Sequence, residues 1–420
     1  MKLKLISILI LSLLIMGCED TTDVIIADDS LATPEGTKSI VDANNQFAFE
    51  LYSELGEGNV FFSPYSISAA LAMTYEGAKG QTAEEMADVF HFPESSTLRP
   101  NFAAIYNDIN EGNDAYELKT GNALWLQKDY PFIEDYITTV EKYYRGKAKN
   151  LDFVSETEKS RQTINSFIEE QTNDKIKDLI PQGILNPMTR LVLTNAIYFK
   201  GTWEWEFDTS DTRDQDFKIT SDNIVKVPMM YMDPDKARLN YADLENLQIL
   251  ELPYKGEKVS MLILLPKQGQ GYDYETGESF TLNYTLEDIG LSSEKLAEYK
   301  AQMRETKMDA VYLPKFEFET KYFMGGTLSS LGMPTAFDGE KADFSGMTLA
   351  EKLFISNVIH QAYVKVDEKG TEAAAATAVM MEATSAMPSN IFRADHPFIF
   401  IIQQKETGNI LFMGRVVDPS

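Results

Sequence analysis

The stretch Asp367-Glu368-Lys369-Gly370-Thr371-Glu372-Ala373-Ala374-Ala375-Ala376-Thr377-Ala378-Val379-Met380-Met381-Glu382-Ala383-Thr384-Ser385 directly follows a continuous apolar run and has two readings. Its alanines have high helix propensity, which suits a surface helix or a linker. Counted with a period of two, the same residues divide by face. Thr371, Ala373, Ala375, Thr377, Val379, Met381 and Ala383 fall on one face, and Glu372 and Glu382 on the other. The first face is uncharged, and its leading residues are small. Such a segment can stand exposed as a loop and can also enter a sheet as a half-buried strand, so it is suited to changing partners.

The rest of the chain supplies a sheet for it to join. Continuous apolar runs at 191–199, 249–252, 259–265, 311–318, 353–366, 398–402 and 410–417 read as buried strands. Helical spacing marks the opening region instead: Phe47, Leu51 and Leu55, then Ile67, Leu71 and Tyr75, then Met86, Val89 and Phe90. Ser63-Pro64 reads as a helix start, and Thr82 followed three residues later by Glu85 predicts a capping box. A strand is expected near 122–126, and helices at 134–144, 157–171, 294–303 and 322–331. The order is α+β with sheets spread through the chain, and no repeat or domain linker follows residue 40.

A hydrophobic content of 44% with 11% aromatics supports a substantial core rather than extensive disorder. The 38 basic residues stand against 65 acidic ones, and the formal charge of −27 repels phosphate backbones, so nucleic acid is not an expected partner. The three histidines, His91, His360 and His396, lack metal-ligand spacing, and no His-Glu-x-x-His, Gly-x-Ser-x-Gly or phosphate-binding glycine motif occurs. Neither a metal, a cofactor nor an enzyme activity is therefore expected. His360, inside an apolar run, reads by itself as a satisfied core group.

At the N-terminus, Lys2 and Lys4 precede an apolar stretch at 5–16 that reads as a secretory signal, too short to span a bilayer stably. It ends in Ile15-Met16-Gly17-Cys18, which resembles a bacterial lipoprotein box, where cleavage before the cysteine leaves a lipid-modified N-terminus. Cys18 is the only cysteine, so no intramolecular disulfide forms. The following residues, rich in Asp, Glu, Thr and Ser with Pro34 and Gly36, read as a tether. The expected organisation is a signal peptide at 1–17, a flexible tether at 18–39 and one folded domain at 40–420. Its expected place is the bacterial cell envelope, at the outer membrane or cell surface.

The segment Glu368-Lys369-Gly370-Thr371-Glu372-Ala373-Ala374-Ala375-Ala376 resembles the inhibitory hinge of the serpin family, and it does not stand alone. Asn59-Val60-Phe61-Phe62-Ser63-Pro64-Tyr65-Ser66-Ile67-Ser68 is similar to the serpin opening, and Thr194-Asn195-Ala196-Ile197-Tyr198-Phe199-Lys200-Gly201-Thr202-Trp203 to its central strand. Leu313-Pro314-Lys315-Phe316 and Phe392-Arg393-Ala394-Asp395-His396-Pro397-Phe398 add a further motif and the C-terminal signature. The resemblance runs in family order from about residue 40 to residue 420.

It implies the serpin fold, an α+β domain with three β-sheets, about eight or nine helices and an exposed reactive loop. It also implies an inhibitor that traps a protease as a covalent acyl-enzyme when the cut loop inserts as an extra strand. The positions matching the shutter, a buried polar cluster under strands that must part, are Ser63, Ser66, Asn195 and His360. Those matching the breach, where insertion starts, are Trp203, Lys315 and Glu368, with Lys315 and Glu368 expected to pair. The hinge positions are Glu368, Gly370, Thr371, Ala373, Ala374, Ala375 and Ala376. Counting seventeen residues from Glu368 gives Thr384-Ser385 as the reactive bond, with Ala383-Thr384 and Ser385-Ala386 one step to either side.

Small residues around that bond favour an elastase-like or subtilisin-like serine protease, with papain-like cysteine proteases second. A non-inhibitory serpin acting as carrier or chaperone is the alternative, and an unrelated lipoprotein enzyme or binding module a third. The protein is expected to be a monomer whose partners are a target protease and, through Cys18, a membrane. Cys18→Ser is expected to move the protein from the membrane fraction to the soluble fraction while leaving inhibition intact, as fractionation with a trapping assay measures.

Overall fold

The computed structural model describes residues 26–110, 116–120, 123–194, 197–233, 238–272, 279–371 and 390–420. Among them eight α-helices form: α1 (Pro34–Glu54), α2 (Pro64–Tyr75), α3 (Gly80–Phe90), α4 (Ser95–Asn110), α5 (Glu134–Tyr144), α6 (Thr157–Gln171), α7 (Ser293–Gln302) and α8 (Gly325–Leu331). The start of α2 follows the expected chemistry. The Ser63 hydroxyl accepts the Ser66 amide at 3.1 Å, and Pro64 sits in the first turn, where a missing amide hydrogen costs nothing.

The main sheet is built from β1 (Tyr116–Thr120), β2 (Ala123–Gln127), β3 (Lys147–Leu151), β4 (Leu191–Thr194), β5 (Ile197–Thr202), β6 (Phe316–Phe323), β7 (Ile359–Asp367) and β8 (Gly370–Thr371). One ladder runs β6-β7-β8-β5-β1 and a second β3-β2-β4. Thr120 faces Ile197 in the first and Ala123 faces Thr194 in the second, so the two ladders share one register and make one sheet. On part of one face lies a small core of Trp125, Phe153, Ile164, Ile168 and Ile180, by which α6 covers β2.

A seven-stranded antiparallel sheet forms the floor of the domain. Its strands Phe398–Gln404 and Val259–Pro266 are buried at every position, which is why they read as unbroken apolar runs rather than alternating ones. Phe61 stacks between Phe400 and Phe412, at 5.6 and 5.2 Å, and ties the opening segment to this sheet. A four-stranded sheet, ordered Ile391–Arg393, Ala310–Pro314, Ile224–Met232, Arg213–Lys218, receives the chain after residue 390. The three expected sheets are thus present, with an additional hairpin of Gln268–Tyr272 and Ser279–Asn283.

Four local expectations change. Helix α3 is capped at Lys79 without a side-chain bond, and the expected capping pair works at long range: the Thr82 hydroxyl accepts the Asp343 amide, and the Glu85 carboxylate takes both the amide and the hydroxyl of Thr335. The strand expected over 353–366 begins only at Ile359. The helix expected at 322–331 begins at Gly325, because Tyr322 and Phe323 instead pair with His360 and Ile359.

The tether expected over 18–39 does not extend to residue 39. Thr33 caps α1 by accepting the Gly36 amide, Pro34 opens that helix, and Ala27 is buried at 1% exposure. Residues 26–39 therefore belong to the folded domain.

Helices α2, α4 and α5 meet at one buried carboxylate. The Glu76 side chain, only 2% exposed, takes a bidentate Arg99 guanidinium and the Tyr144 hydroxyl at 2.8 Å. Arg99→Ala strands that charge in a poorly solvated site, and a loss of about 3 kcal/mol is expected. Denaturant unfolding monitored by circular dichroism measures it.

Candidate functional site

The site grows from a reversal of the chain at Glu368-Lys369. Strand β7 runs up to Asp367, turns through these two residues and comes back as β8, so that Thr371 pairs with Val366 and Gly370 with Asp367. On its other side β8 pairs with β5, Thr371 facing Gly201 and Gly370 facing Thr202. The first two residues after the turn are thus already strand, seated between β5 and β7. Gly370 has φ +153°, and a Cβ there would lie 1.9 Å from the Gly201 carbonyl oxygen, so only glycine fits.

Polar contacts hold this turn on every side. The Lys315 ammonium meets the Glu368 carboxylate at 2.8 Å, and the Thr212 hydroxyl donates to its other oxygen at 2.8 Å. Burial pushes the Glu368 carboxyl up, but hydrogen bonds from Lys315 and Thr212 outweigh it and hold it below its usual value. The Trp203 amide donates to the Lys369 carbonyl, and its indole Nε1 donates to the Asp367 carbonyl at 3.1 Å. Its ring stacks on Tyr254 at 4.5 Å, and the Tyr254 and Thr371 hydroxyls share a hydrogen bond of 2.6 Å.

Residues 372–389, which follow β8, lie outside the described residues. Among the described residues no ladder joins β5 to β7, and β4 pairs only with β2. Residues 352–358, which lead into β7, form no strand. A cleft of about 270 Å3 lies between these edges, lined by Leu191, Leu193, Leu353 and Ile355 with Ser66 and His360. This is the physical reason that the strand over 353–366 starts late: its upper part has β6 and β8 beside it, and its lower part faces the cleft.

The inner end of the cleft is polar. The Ser63 amide donates to His360 Nε2 at 3.0 Å, and the Ser63 hydroxyl donates to the Leu411 carbonyl at 2.6 Å. Ser66 is buried beside them, and its hydroxyl has no partner among the described residues. Because His360 Nε2 accepts a hydrogen bond, the ring is neutral here, and burial pushes its pKa down to about 4.

Of the positions singled out in the sequence, the structure brings together Ser63, Ser66 and His360 in one cluster and Trp203, Lys315, Glu368, Gly370 and Thr371 in another. Asn195, Ala373, Ala374, Ala375, Ala376, Thr384, Ser385 and Cys18 lie outside the described residues. Tyr254 and Thr212 were missed. Both sit in other parts of the chain, with no spacing that links them to the hinge.

A strand that follows β7 through a tight turn and pairs with both β5 and β7, above a cleft lined by Ser66 and His360, marks an α+β protein built around one large sheet. The chain belongs to the serpin family: the family model described as Serpin (serine protease inhibitor) matches residues 42–419. An uncharacterized serpin-like protein of Methanosarcina mazei is 43% identical over 90% of this chain and 87% of its own. Leukocyte elastase inhibitor A of Rattus norvegicus is 40% identical over 91% of this chain and all of its own. Among solved structures, uncleaved ovalbumin superposes with a TM-score of 0.76 at 32% identity, covering 91% of this chain and 100% of that one. Human thyroxine-binding globulin complexed with its hormone matches at 0.76 and 31%, over 92% and 100%.

Two measurements probe the site. Gly370→Ala is expected to expel β8 from the sheet, seen as faster proteolytic nicking near the hinge and a changed Trp203 fluorescence. The second concerns pH. His360 is neutral when folded and has its usual value near 6.5 when unfolded, so the unfolded state binds the extra proton between about pH 6.5 and about 4. The folded-to-unfolded ratio should fall by up to roughly tenfold per pH unit as pH drops through that window. His360→Gln should flatten the slope in pH-dependent unfolding.

Proposed function

We propose that this serpin is a suicide-substrate inhibitor of serine proteases, cut at Thr384-Ser385 and trapping the acyl-enzyme by inserting 372–384 into the main sheet. The observation that carries this reading is β8, two hinge residues paired on both sides, below which no described residue joins β5 to β7. Continued in the same register, Ala373 comes opposite Phe199 and Val364, and Ala375 opposite Ile197 and Ala362, positions that are all buried. Small residues suit those neighbours. The continuation reaches Leu191 at Met381, so the receiving edge is nearly as long as the segment.

The driving force is the set of backbone groups along β4, the lower part of β5 and 353–358 that gain ladder partners on insertion, together with one buried face. Trapping is a race, because hydrolysis of the acyl-enzyme competes with insertion. Small side chains at Ala383, Thr384, Ser385 and Ala386 support an elastase-like or subtilisin-like target over a trypsin-like one, with papain-like cysteine proteases as the second class. The Cys18 motif supports lipid anchoring at a bacterial cell envelope.

Register also refines the choice of control. Glu372, on the outer face, comes opposite Lys200 and Lys365, so reversing its charge opposes insertion while neutralising it does so weakly. Thr371 is already seated in the sheet, so the informative position is further along: Ala375→Arg forces a guanidinium between Ile197 and Ala362, 4% and 1% exposed, only when the segment inserts, and each 1.4 kcal/mol added to that barrier slows that branch about tenfold. Ala375→Arg is expected to turn the inhibitor into a substrate, and Glu372→Gln to retain most trapping. The assay is the ratio of detergent-stable covalent complex to cleaved protein with an elastase. Equal trapping by Ala375→Arg and wild type would falsify insertion as the mechanism, and absence of any complex across a protease panel would favour a carrier or chaperone.

A further inference from the structure

Residues 26–33 are strapped across the ends of two helices by a dense set of bonds. Asn107 of α4 clasps Ala27 from both sides, its Oδ1 accepting the Ala27 amide at 2.8 Å and its Nδ2 donating to the Ala27 carbonyl at 2.9 Å. The Asp28 amide donates to the Lys142 carbonyl at the end of α5, and the two side chains pair at 2.8 Å. Asn101 of α4 then takes the Thr33 amide at 2.9 Å. Two large apolar residues of the strap, Ile26 and Leu31, stay exposed at 65% and 75%.

This seating changes the reach of the anchor. From Cys18 to residue 40 a free chain would extend to about 79 Å, enough to let any face of the domain meet a bilayer. From Cys18 to Ile26 there are only eight residues, with a limit of about 29 Å. The domain itself has a radius of gyration of about 21 Å. A tether that short, leaving from a fixed point on one side, orients the body it holds.

We propose that the flank formed by the strap, α4 and α5 is the lipid-facing surface of the protein, with Ile26 and Leu31 nearest the bilayer. The inference rests on the lipid-anchoring reading of Cys18. Helix α5 leads into β3, which is an edge of the main sheet, whereas β6 is the opposite edge, four to five strand spacings or about 20–24 Å away. Held by this side, the protein keeps both ends of the insertion path clear of lipid: the end at Thr371 where a protease docks, and the end near Leu191 toward which insertion carries it. The exposed charges of α5 include Glu134, Asp135 and Glu141, so this flank has no attraction of its own for anionic lipid and depends on the acyl chains.

The test uses the lipidated full chain, in which the Cys18 thiol is consumed, with one new cysteine for a fluorophore. Thr138 lies four residues before Lys142 and shares its face of α5, while Phe323 ends the far edge strand. On phosphatidylcholine vesicles bearing nitroxide headgroups, a dye on T138C should be strongly quenched and one on F323C should keep its emission. Asn107→Ala combined with Asp28→Ala releases the strap and should make the two sites alike while the protein stays on the vesicles. Equal quenching in the intact strap, or stronger quenching at F323C, overturns the proposed flank but leaves anchoring standing. Mass spectrometry showing no lipid on Cys18 overturns both.

Discussion

Everything in this molecule turns on the edges at the centre of its main sheet. A strand edge exposes a row of amides and carbonyls that seek partners, and a fold normally pairs or covers them. Among the described residues β4 pairs on one side only, and β7 begins six residues after the chain reaches Leu353. A cleft lies between these two segments, lined by Leu191, Leu193, Leu353 and Ile355.

Two polar clusters control that region, and they differ in kind. The upper one is charged and partly wet: Lys315 is 37% exposed and Glu368 only 8%, so their pair secures the turn without a fully buried ion. The lower one is neutral and dry. His360 takes the Ser63 amide in a site where burial keeps the imidazole uncharged, and Ser63 at the same time caps α2 and reaches the Leu411 carbonyl. One serine therefore joins a helix start, a strand of the floor and a strand of the main sheet, which makes the local geometry sensitive to any movement there.

The strap at 26–33 adds a constraint of another sort. It contributes little apolar burial beyond Ala27, yet it uses two asparagines to satisfy backbone groups of an extended segment that has no sheet to join. In a composition-based reading this region looks like linker, because it lies within a stretch, 19–38, that is rich in Asp, Glu, Thr and Ser. Side-chain amides on α4 turn it into ordered structure, and they lie about seventy to eighty residues away in the chain.

What the sequence determined by itself was whatever depends on local pattern. Helices at Glu134–Tyr144 and Thr157–Gln171, the Ser63-Pro64 start and the buried runs of the floor follow from periodicity and capping, and the alternation after Gly370 showed a segment able to be a strand. The family resemblance supplied the grouping of Ser63 with His360 and of Lys315 with Glu368. Tertiary structure alone decided which strands lack partners. Periodicity reports that a residue run can be a strand, but not whether another strand lies beside it. The late start of β7, the hydroxyl pair of Tyr254 and Thr371, and the long-range roles of Thr82 and Glu85 all depend on neighbours distant in sequence. The same holds for the ordered strap, whose backbone is satisfied by Asn101 and Asn107 only once α4 is folded beside it.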